Sequence, residues 1–266
     1  MDSALVSALA VPIIGSLPNE DGRHGHASSS IGDAALRGLC IAVTGGTSGL
    51  GRALVHELRS RDAHVAFVAR DEDRIARVMR EEPGTLGIAA DVADKDAIHP
   101  LALQLLAWRG GLDVLVNNAS NLGPVPLVPL ADTECEDFEV ALATNVLGPF
   151  RLTKALLGAL AASARDGRGG VVLDVSSDAA VNAYPGWGAY GASKAALAHL
   201  SRTWSTECAA LGVRFLSLDP GDMDTPLHAL AVPDADRAAL RAPADAAREF
   251  ADAIAAALPH RAELRR

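Results

Sequence analysis

Short runs of β-branched and aliphatic residues alternate along this chain with longer stretches of helical periodicity. The runs at 39–43 (LCIAV), 64–69 (HVAFVA), 86–90 (LGIAA), 113–116 (DVLV), 171–175 (VVLDV) and 213–218 (VRFLSL) have the length of buried strands. Helical patterns cover 52–61, 97–108, 143–162, a stretch opening at Tyr190, and 243–258; in the first of these Leu54, Val55 and Leu58 share one side. Strands alternating with helices predict an α/β fold, a parallel sheet doubly wound with helices on both faces. Pro124, Pro126 and Pro129 exclude regular helix across 122–130, which predicts an extended loop over the cleft. Asp132, Thr133 and Glu134 read as a helix start. Pro149 falls inside the 143–162 pattern and should bend or break it; a distortion there, near Asn145, suits a site that holds a water. No clear seventh strand follows Gly221.

Residues 1–36 read as a flexible tail, and 37–266 as one domain. The apolar run at 4–17 is 14 residues long, is interrupted by Pro12 and is too short to span a bilayer. Asp2 is the only charge ahead of it, so the basic flank of a secretory signal is missing. Residues 19–33 form a linker in which His24 and His26 flank Gly25; two histidines in a tail are no metal site, and no metal is expected.

Composition narrows the classes. With 266 residues, 49% of them hydrophobic, the chain can build ample core and is not disordered throughout. Lys and Arg total 24 against 33 Asp and Glu, a net charge of −9, which argues against unspecific nucleic-acid or anionic-membrane binding. Any anionic ligand must be held by a local site. Cys40, Cys135 and Cys208 are far apart and odd in number; they suit a reducing cytosol, hence a cytoplasmic protein.

Candidate chemistry begins after the first strand. TGGTSGLG at 44–51 joins strand to helix, and glycines there let backbone approach a pyrophosphate seated at the helix N-terminus. The second strand ends at Ala69 and Arg70 follows. An acidic residue at that point would bond a ribose 2′-hydroxyl, whereas an arginine accommodates a 2′-phosphate, so NADP(H) is favoured; Asp71 next to it leaves NAD(H) open. Asp91 ends the third strand and Asn117 and Asn118 the fourth. The fifth strand ends in Ser176 and Ser177. Tyr190 and Lys194, four residues apart, then share a helix face. A cation beside a phenol lowers its pKa, and a tuned tyrosine can give a proton to a carbonyl oxygen or take one from an alcohol. Alone, this YxxxK pattern reads more simply as a half-buried aromatic near a solvated charge.

Together these residues resemble the short-chain dehydrogenase/reductase family in its single-domain form, over roughly 38–225. The likeness rests on TGGTSGLG at 44–51, NNA at 117–119, Asn145 within TNVLG, Ser177, YGASK at 190–194 and PGDMDT at 220–225, with Tyr190 thirteen residues after Ser177. It implies a Rossmann-type sheet of order 3-2-1-4-5-6. It implies Tyr190 as proton donor and acceptor, Lys194 holding the nicotinamide ribose and depressing the tyrosine pKa, Ser177 positioning the substrate oxygen, and Asn145 anchoring a relay water. The coenzyme set it implies is Gly45, Thr47, Ser48, Gly49, Leu50 and Gly51 of the turn, Arg70, Asp91, Val92, Asn118, Pro220, Gly221 and Thr225, with Tyr190 and Lys194. Two positions depart from the family pattern. Ser120 stands where the motif NNAG has its last glycine, and Ser48 is not the basic residue frequent in NADP-preferring members.

The segment 222–242 reads as a lid with one short helix. Ser177, Tyr184, Trp187 and Tyr190 are the substrate-binding candidates, with Met223, Leu227, His228 and Leu230 beside them. Small residues (Ala155, Ala159, Ala196) on two helices suggest a subunit interface, and a homodimer or homotetramer is expected. The expected function is NADP(H)-dependent reduction of a small-molecule carbonyl or oxidation of a secondary alcohol. The alternatives are a coenzyme-binding regulatory protein without turnover and a coenzyme-assisted non-redox enzyme such as an epimerase.

Overall fold

The computed structural model describes residues 34–259. The apolar run at 4–17, the linker with His24 and His26, and the basic chain end lie outside the described residues. Six parallel strands, β1 (Cys40–Thr44), β2 (His64–Ala69), β3 (Leu86–Ala89), β4 (Val114–Asn117), β5 (Val171–Val175) and β6 (Arg214–Leu218), form one sheet of order β3-β2-β1-β4-β5-β6. Each crossover carries helix: α1 (Gly49–Ser60), α2 (Glu72–Glu81), α3 (Ile98–Arg109), α4 (Cys135–Leu142), α5 (Gly148–Arg165) and α6 (Gly188–Glu207), with α7 (Pro226–Ala231) and α8 (Pro243–Ala257) after β6. No seventh strand occurs among the described residues.

The strands are apolar throughout because both faces are covered. Successive side chains point to opposite faces. In β1 and β2, Ile41, Val43, Val65 and Phe67 pack against α1, α2 and α8, while Ala42, Ala66 and Val68 pack against α3 and α5. In-register pairing of Val43 with Phe67 and of Val116 with Leu173 brings the carboxyl ends of β1, β2, β4 and β5 to one edge. That edge carries the site.

Two expectations need correction. Leu36, assigned above to the tail, is fully buried in the core layer with α1 and α8, because a turn of helix at 34–36 folds it inward. Pro149 breaks no helix: the chain makes a π-helical turn over Ala143–Leu147, and a new helix starts at Gly148 with Pro149 in its first turn, where a missing N–H costs nothing. The distortion expected near Asn145 is this turn. The helix before it opens at Cys135 with Glu134 as its N-cap, the start that the sequence predicts.

At the opposite end of the sheet a buried carboxylate closes the base. Asp113, just ahead of β4, accepts hydrogen bonds from the Cys40 amide (2.7 Å), the Ser163 hydroxyl (2.5 Å) and the Arg168 guanidinium (3.1 and 2.8 Å). Burial alone would raise its pKa, but these donors together hold it below the ordinary carboxylate value. A depressed folded-state pKa contributes stability above the unfolded value, and that contribution is lost as pH falls through the folded one. Asp113→Asn should therefore cost about 2–3 kcal/mol in urea unfolding at pH 7, with the gap closing below about pH 4. A gap independent of pH would show that the carboxylate charge is not its source.

Candidate active site

The turn after β1 is pinned before it can bind anything. Asn118 Nδ2 donates to the Thr44 carbonyl (2.8 Å) and toward the Gly45 carbonyl (3.3 Å), while the Asn118 and Ala119 amides both donate to Thr44 Oγ1 (3.0 Å each). Helix α1 then sits so close that a Cβ on Gly51 would stand 2.2 Å from the Gly45 carbonyl oxygen. Gly45 itself lies at φ +71°, a left-handed conformation that side chains disfavour. Ser48 caps no α1 amide with its side chain, and the first turn of α1 carries no acidic residue. The helix N-terminus therefore offers free amides and a positive dipole end to an anion.

A cleft of about 280 Å³ runs over this turn. It is lined by Gly45, Thr47, Ser48, Gly49, Leu50, Gly51, Arg70, Asp71, Arg74, Asp91, Val92, Asn118, Ser120, Tyr190, Lys194, Pro220 and Thr225, among others. Of the residues assigned above to the coenzyme, Gly221 alone lies outside this lining; at φ +70° it turns the chain after β6 and lines the neighbouring cavity instead. Arg70 is 75% exposed at the end of β2, with its guanidinium 3.9 Å from Asp91. Asp71 is already engaged: its carboxylate caps α2 through the Arg74 amide (3.0 Å) and faces the Arg74 guanidinium at 3.3 Å. Thr225 caps α7 and packs across Gly49.

At the far end of the cleft the fifth strand delivers Ser176 and Ser177, and α6 delivers Tyr190 and Lys194. Lys194 is 2% exposed and its Nζ donates to the Val175 carbonyl at 2.8 Å. Burial pushes its pKa from 10.5 down to about 8, against the pull of Asp174 and Asp219. Asp174, in β5, is raised to about 6 by burial, opposed by hydrogen bonds from Asn117 and Ser201 and by the Lys194 charge. Burial likewise pushes the Tyr190 phenol up to about 12, against its hydrogen bonding with Ser177 and Ser120. The expected depression of the Tyr190 pKa by Lys194 is thus not what this geometry produces. The ammonium is turned to the Val175 carbonyl, 5.5 Å from the phenol ring centroid, and desolvation outweighs it. The phenol is protonated at neutral pH.

Asn145 lies in the π-helical turn and is fully buried. Its Nδ2 donates to the Asn121 carbonyl (2.7 Å) and to Ser193 Oγ (2.8 Å), and its Oδ1 accepts from the Asn121 amide (2.8 Å) and Ser120 Oγ (3.2 Å). Both donors and both acceptor positions of the amide are taken. The side chain is a bracket between α6 and the strand-end loop 118–121. Ser120, the serine in place of glycine, completes that bracket. Sequence reasoning did not single out Asn121, Ser193 or Asp178. Only the spacing of polar residues behind Asn118 and ahead of Lys194 hinted at the first two, and nothing in the sequence pairs them with Asn145.

Tyr190 also lines a second cavity of about 710 Å³, with Ser177, Tyr184, Trp187, Leu227 and His228 in its wall. Trp187 meets Tyr190 edge to face at 5.6 Å. Leu230, a pocket candidate from the sequence, is 52% exposed and is not part of that wall. The cavity's outer wall is the segment after Gly221, closed into a loop by hydrogen bonds from the Arg241 amide to the Asp222 carbonyl (2.9 Å) and from the Asp224 amide to the Arg241 carbonyl (3.0 Å). No group of metal-ligating side chains occurs among the described residues, and no helix among them is long and apolar enough to cross a membrane.

This arrangement has relatives. The family profile described as short chain dehydrogenase matches residues 39–236. A short chain dehydrogenase of Pseudocercospora fijiensis is 35% identical over 201 residues, 73% of this chain and 62% of that protein. A metagenomic short-chain oxidoreductase solved in complex with NADP is 30% identical with a TM-score of 0.69, covering 83% of this chain and 92% of that one. A 3-ketoacyl-(acyl-carrier-protein) reductase of Brucella melitensis complexed with NADH is 27% identical with a TM-score of 0.76, covering 82% and 91%. The chain belongs to the short-chain dehydrogenase/reductase family, and it is an oxidoreductase of that family.

The buried lysine has a thermodynamic signature. Because its folded-state pKa is lowered, the unfolded chain holds more protons between about pH 8 and 10.5, and stability rises with pH across that window. In urea unfolding, the wild type should gain on the order of 1–2 kcal/mol between pH 7.5 and 9.5 relative to Lys194→Met. Parallel pH profiles for the two proteins would show that the lysine is not desolvated.

Proposed function

We propose that the protein is an NADP(H)-dependent oxidoreductase that reduces a carbonyl or oxidises a secondary alcohol, with Tyr190 as general acid and base. The observation that carries this reading is the position of Tyr190, which borders both the coenzyme cleft and the 710 Å³ cavity. A nicotinamide dinucleotide, when bound, supplies or accepts the hydride. The pinned turn at Gly45–Gly51 and the free amides of α1 would hold its pyrophosphate, and Lys194 and Thr225 would border the nicotinamide end. The cleft fits such a group: the close Gly51–Gly45 approach leaves no side chain over the turn.

Within this reading the residues divide the work. Ser177 holds the substrate oxygen by a hydrogen bond. Tyr190 Oη, protonated at neutral pH, gives its proton to that oxygen in reduction; in oxidation it must first release that proton to solvent, and the phenolate then takes the proton of the alcohol. Lys194, fixed by the Val175 carbonyl, keeps a positive charge near the developing phenolate. Asn145 and Ser120 position the loop at 118–121 against α6. The segment 222–242 covers the substrate and excludes water. A coenzyme-sensing protein without turnover would need neither the second cavity nor a phenol at its junction with the cleft.

The choice of NADP(H) over NAD(H) rests on Arg70, supported by Arg74 in the same cleft and by the engagement of Asp71 as the α2 cap. Arg70 and Arg74 would hold a 2′-phosphate at that end, and the Asp71 carboxylate is already engaged by α2 and Arg74. Ala155 and Ala159 on α5 pack against the core of their own chain, so the reading of two paired copies rests on Leu147, 41% exposed just ahead of α5. The free thiols of Cys40, Cys135 and Cys208 fit a cytoplasmic setting.

Tyr190→Phe should lower kcat at least about 100-fold while the Kd for NADPH, read by fluorescence, stays within about two-fold. Retention of most of the rate would remove Tyr190 from the chemistry. Arg70→Ala should weaken NADPH about ten-fold or more and leave NADH within about two-fold, consistent with loss of one charge-assisted contact. Equal losses for both coenzymes would mean that Arg70 does not read the 2′-phosphate.

A further inference from the structure

The charges of the substrate cavity are one-sided. Its wall contains the carboxylates of Asp178, Asp219, Asp222 and Asp236, and among the described residues lining it there is no lysine or arginine. His228 is the single basic group in the wall, and its Nε2 stands 3.8 Å from Asp222. The nearest arginines on the lid are neutralised elsewhere. Arg237 makes a two-pronged pair with Asp224 (2.9 and 2.9 Å), and Arg241 pairs with Glu249. Lys194 lies on the coenzyme side, with its ammonium on the Val175 carbonyl.

The carboxylates reach the reacting end. Ser177 Oγ donates to Asp178 Oδ1 at 3.2 Å, and the Tyr184 hydroxyl donates to Asp178 Oδ2 at 2.6 Å. Asp219, at the end of β6, accepts from the Gly221 amide at 2.9 Å. Its pKa is raised by burial, opposed by the hydrogen bond from the Gly221 amide, and raised further by the charges of Asp178 and Asp222. The remaining wall combines the hydroxyls of Ser176, Ser177, Tyr184, Tyr190 and Thr225 with an apolar part that includes Leu122, Trp187, Met223, Leu227, Val232 and Leu240.

Building on the oxidoreductase reading above, we infer that this cavity selects its substrate by charge: it takes an uncharged or cationic alcohol or carbonyl compound with a largely apolar body, and rejects anionic ones. A carboxylate, sulfonate or phosphate on the substrate would face four carboxylates, with Asp219 partly buried and Asp178, Asp222 and Asp236 exposed at the rim, and His228 as the one basic group beside them; each carboxylate–anion pair is repulsive. Hydroxyl or ammonium groups on the substrate instead find acceptors.

The test uses three matched ketones: 4-methylcyclohexanone, 4-(trimethylammonio)cyclohexanone and 4-oxocyclohexanecarboxylate. Reduction is followed with NADPH at low salt. The carboxylate compound should show a kcat/KM at least about ten-fold below the methyl compound (~1.4 kcal/mol), and the cationic one should match or exceed it. In Asp222→Asn/Asp236→Asn the ratio of kcat/KM for the carboxylate compound to that for the methyl compound should rise at least about three-fold, since asparagine keeps the size but not the charge; an unchanged ratio would show that these carboxylates do not select against the anion. Binding of the same ketones to the NADPH-loaded protein, read by Trp187 emission against Trp187→Phe, should rank them in the same order. Absence of reduction for all three, with NADPH still bound, would defeat the oxidoreductase reading alone, and the binding order would still decide the charge selection. A carboxylate compound reduced or bound as well as the methyl compound, including equal absence of binding for all three, would overturn the inference.

Discussion

The energetic centre of this structure is a lysine ammonium taken out of water. A buried charge costs several kcal/mol unless it is compensated. Lys194 is compensated by the Val175 carbonyl at the end of β5 and, at longer range, by the carboxylates of Asp174 and Asp219. That requirement joins α6 to the sheet at one height. It thereby sets where Tyr190, one helical turn before Lys194, stands relative to Ser177, two residues past Val175. The same burial explains both pKa shifts, down for the ammonium and up for the phenol, because each titration is pushed toward its neutral form.

A second bracket holds the opposite wall. The π-helical turn presents Asn145 inward, and its amide ties α6 through Ser193 to the backbone of Asn121. Those hydrogen bonds fix the loop at 118–121 against α6. Ser120 joins this bracket and also touches the phenol, so the serine that replaces the motif's glycine links the two halves of the site. On the coenzyme side Asn118 does the equivalent for the glycine turn, by binding it to the end of β4.

Much of the fold was legible because apolar runs that must be covered on both faces read as strands whatever follows them. All six appear within a residue or two of where the pattern puts them, and Val171–Val175 coincides with it. Boundaries moved where tertiary packing overrode local preference. Leu36 is core because α1 and α8 leave room for it, and Pro149 is tolerated because the chain widens into a π turn just before it. The role of Asp71 was open in the sequence, since a carboxylate beside Arg70 can face either a ligand or its own helix. The cap on α2 resolves it.

The sequence by itself determined the strand and helix alternation, the glycine turn, and the residue types at Ser177, Tyr190 and Lys194, because each depends on spacing along a local element. Tertiary structure alone decided which charges act. Desolvation depends on what packs around a group, so the protonated phenol, the lowered lysine pKa and the paired lid arginines could not be read from spacing. The cavity's uniform negative wall is of the same kind: its carboxylates lie on three separate segments, at 178, at 219–222 and at 236, and only the folding of the chain after β6 brings them to face one space.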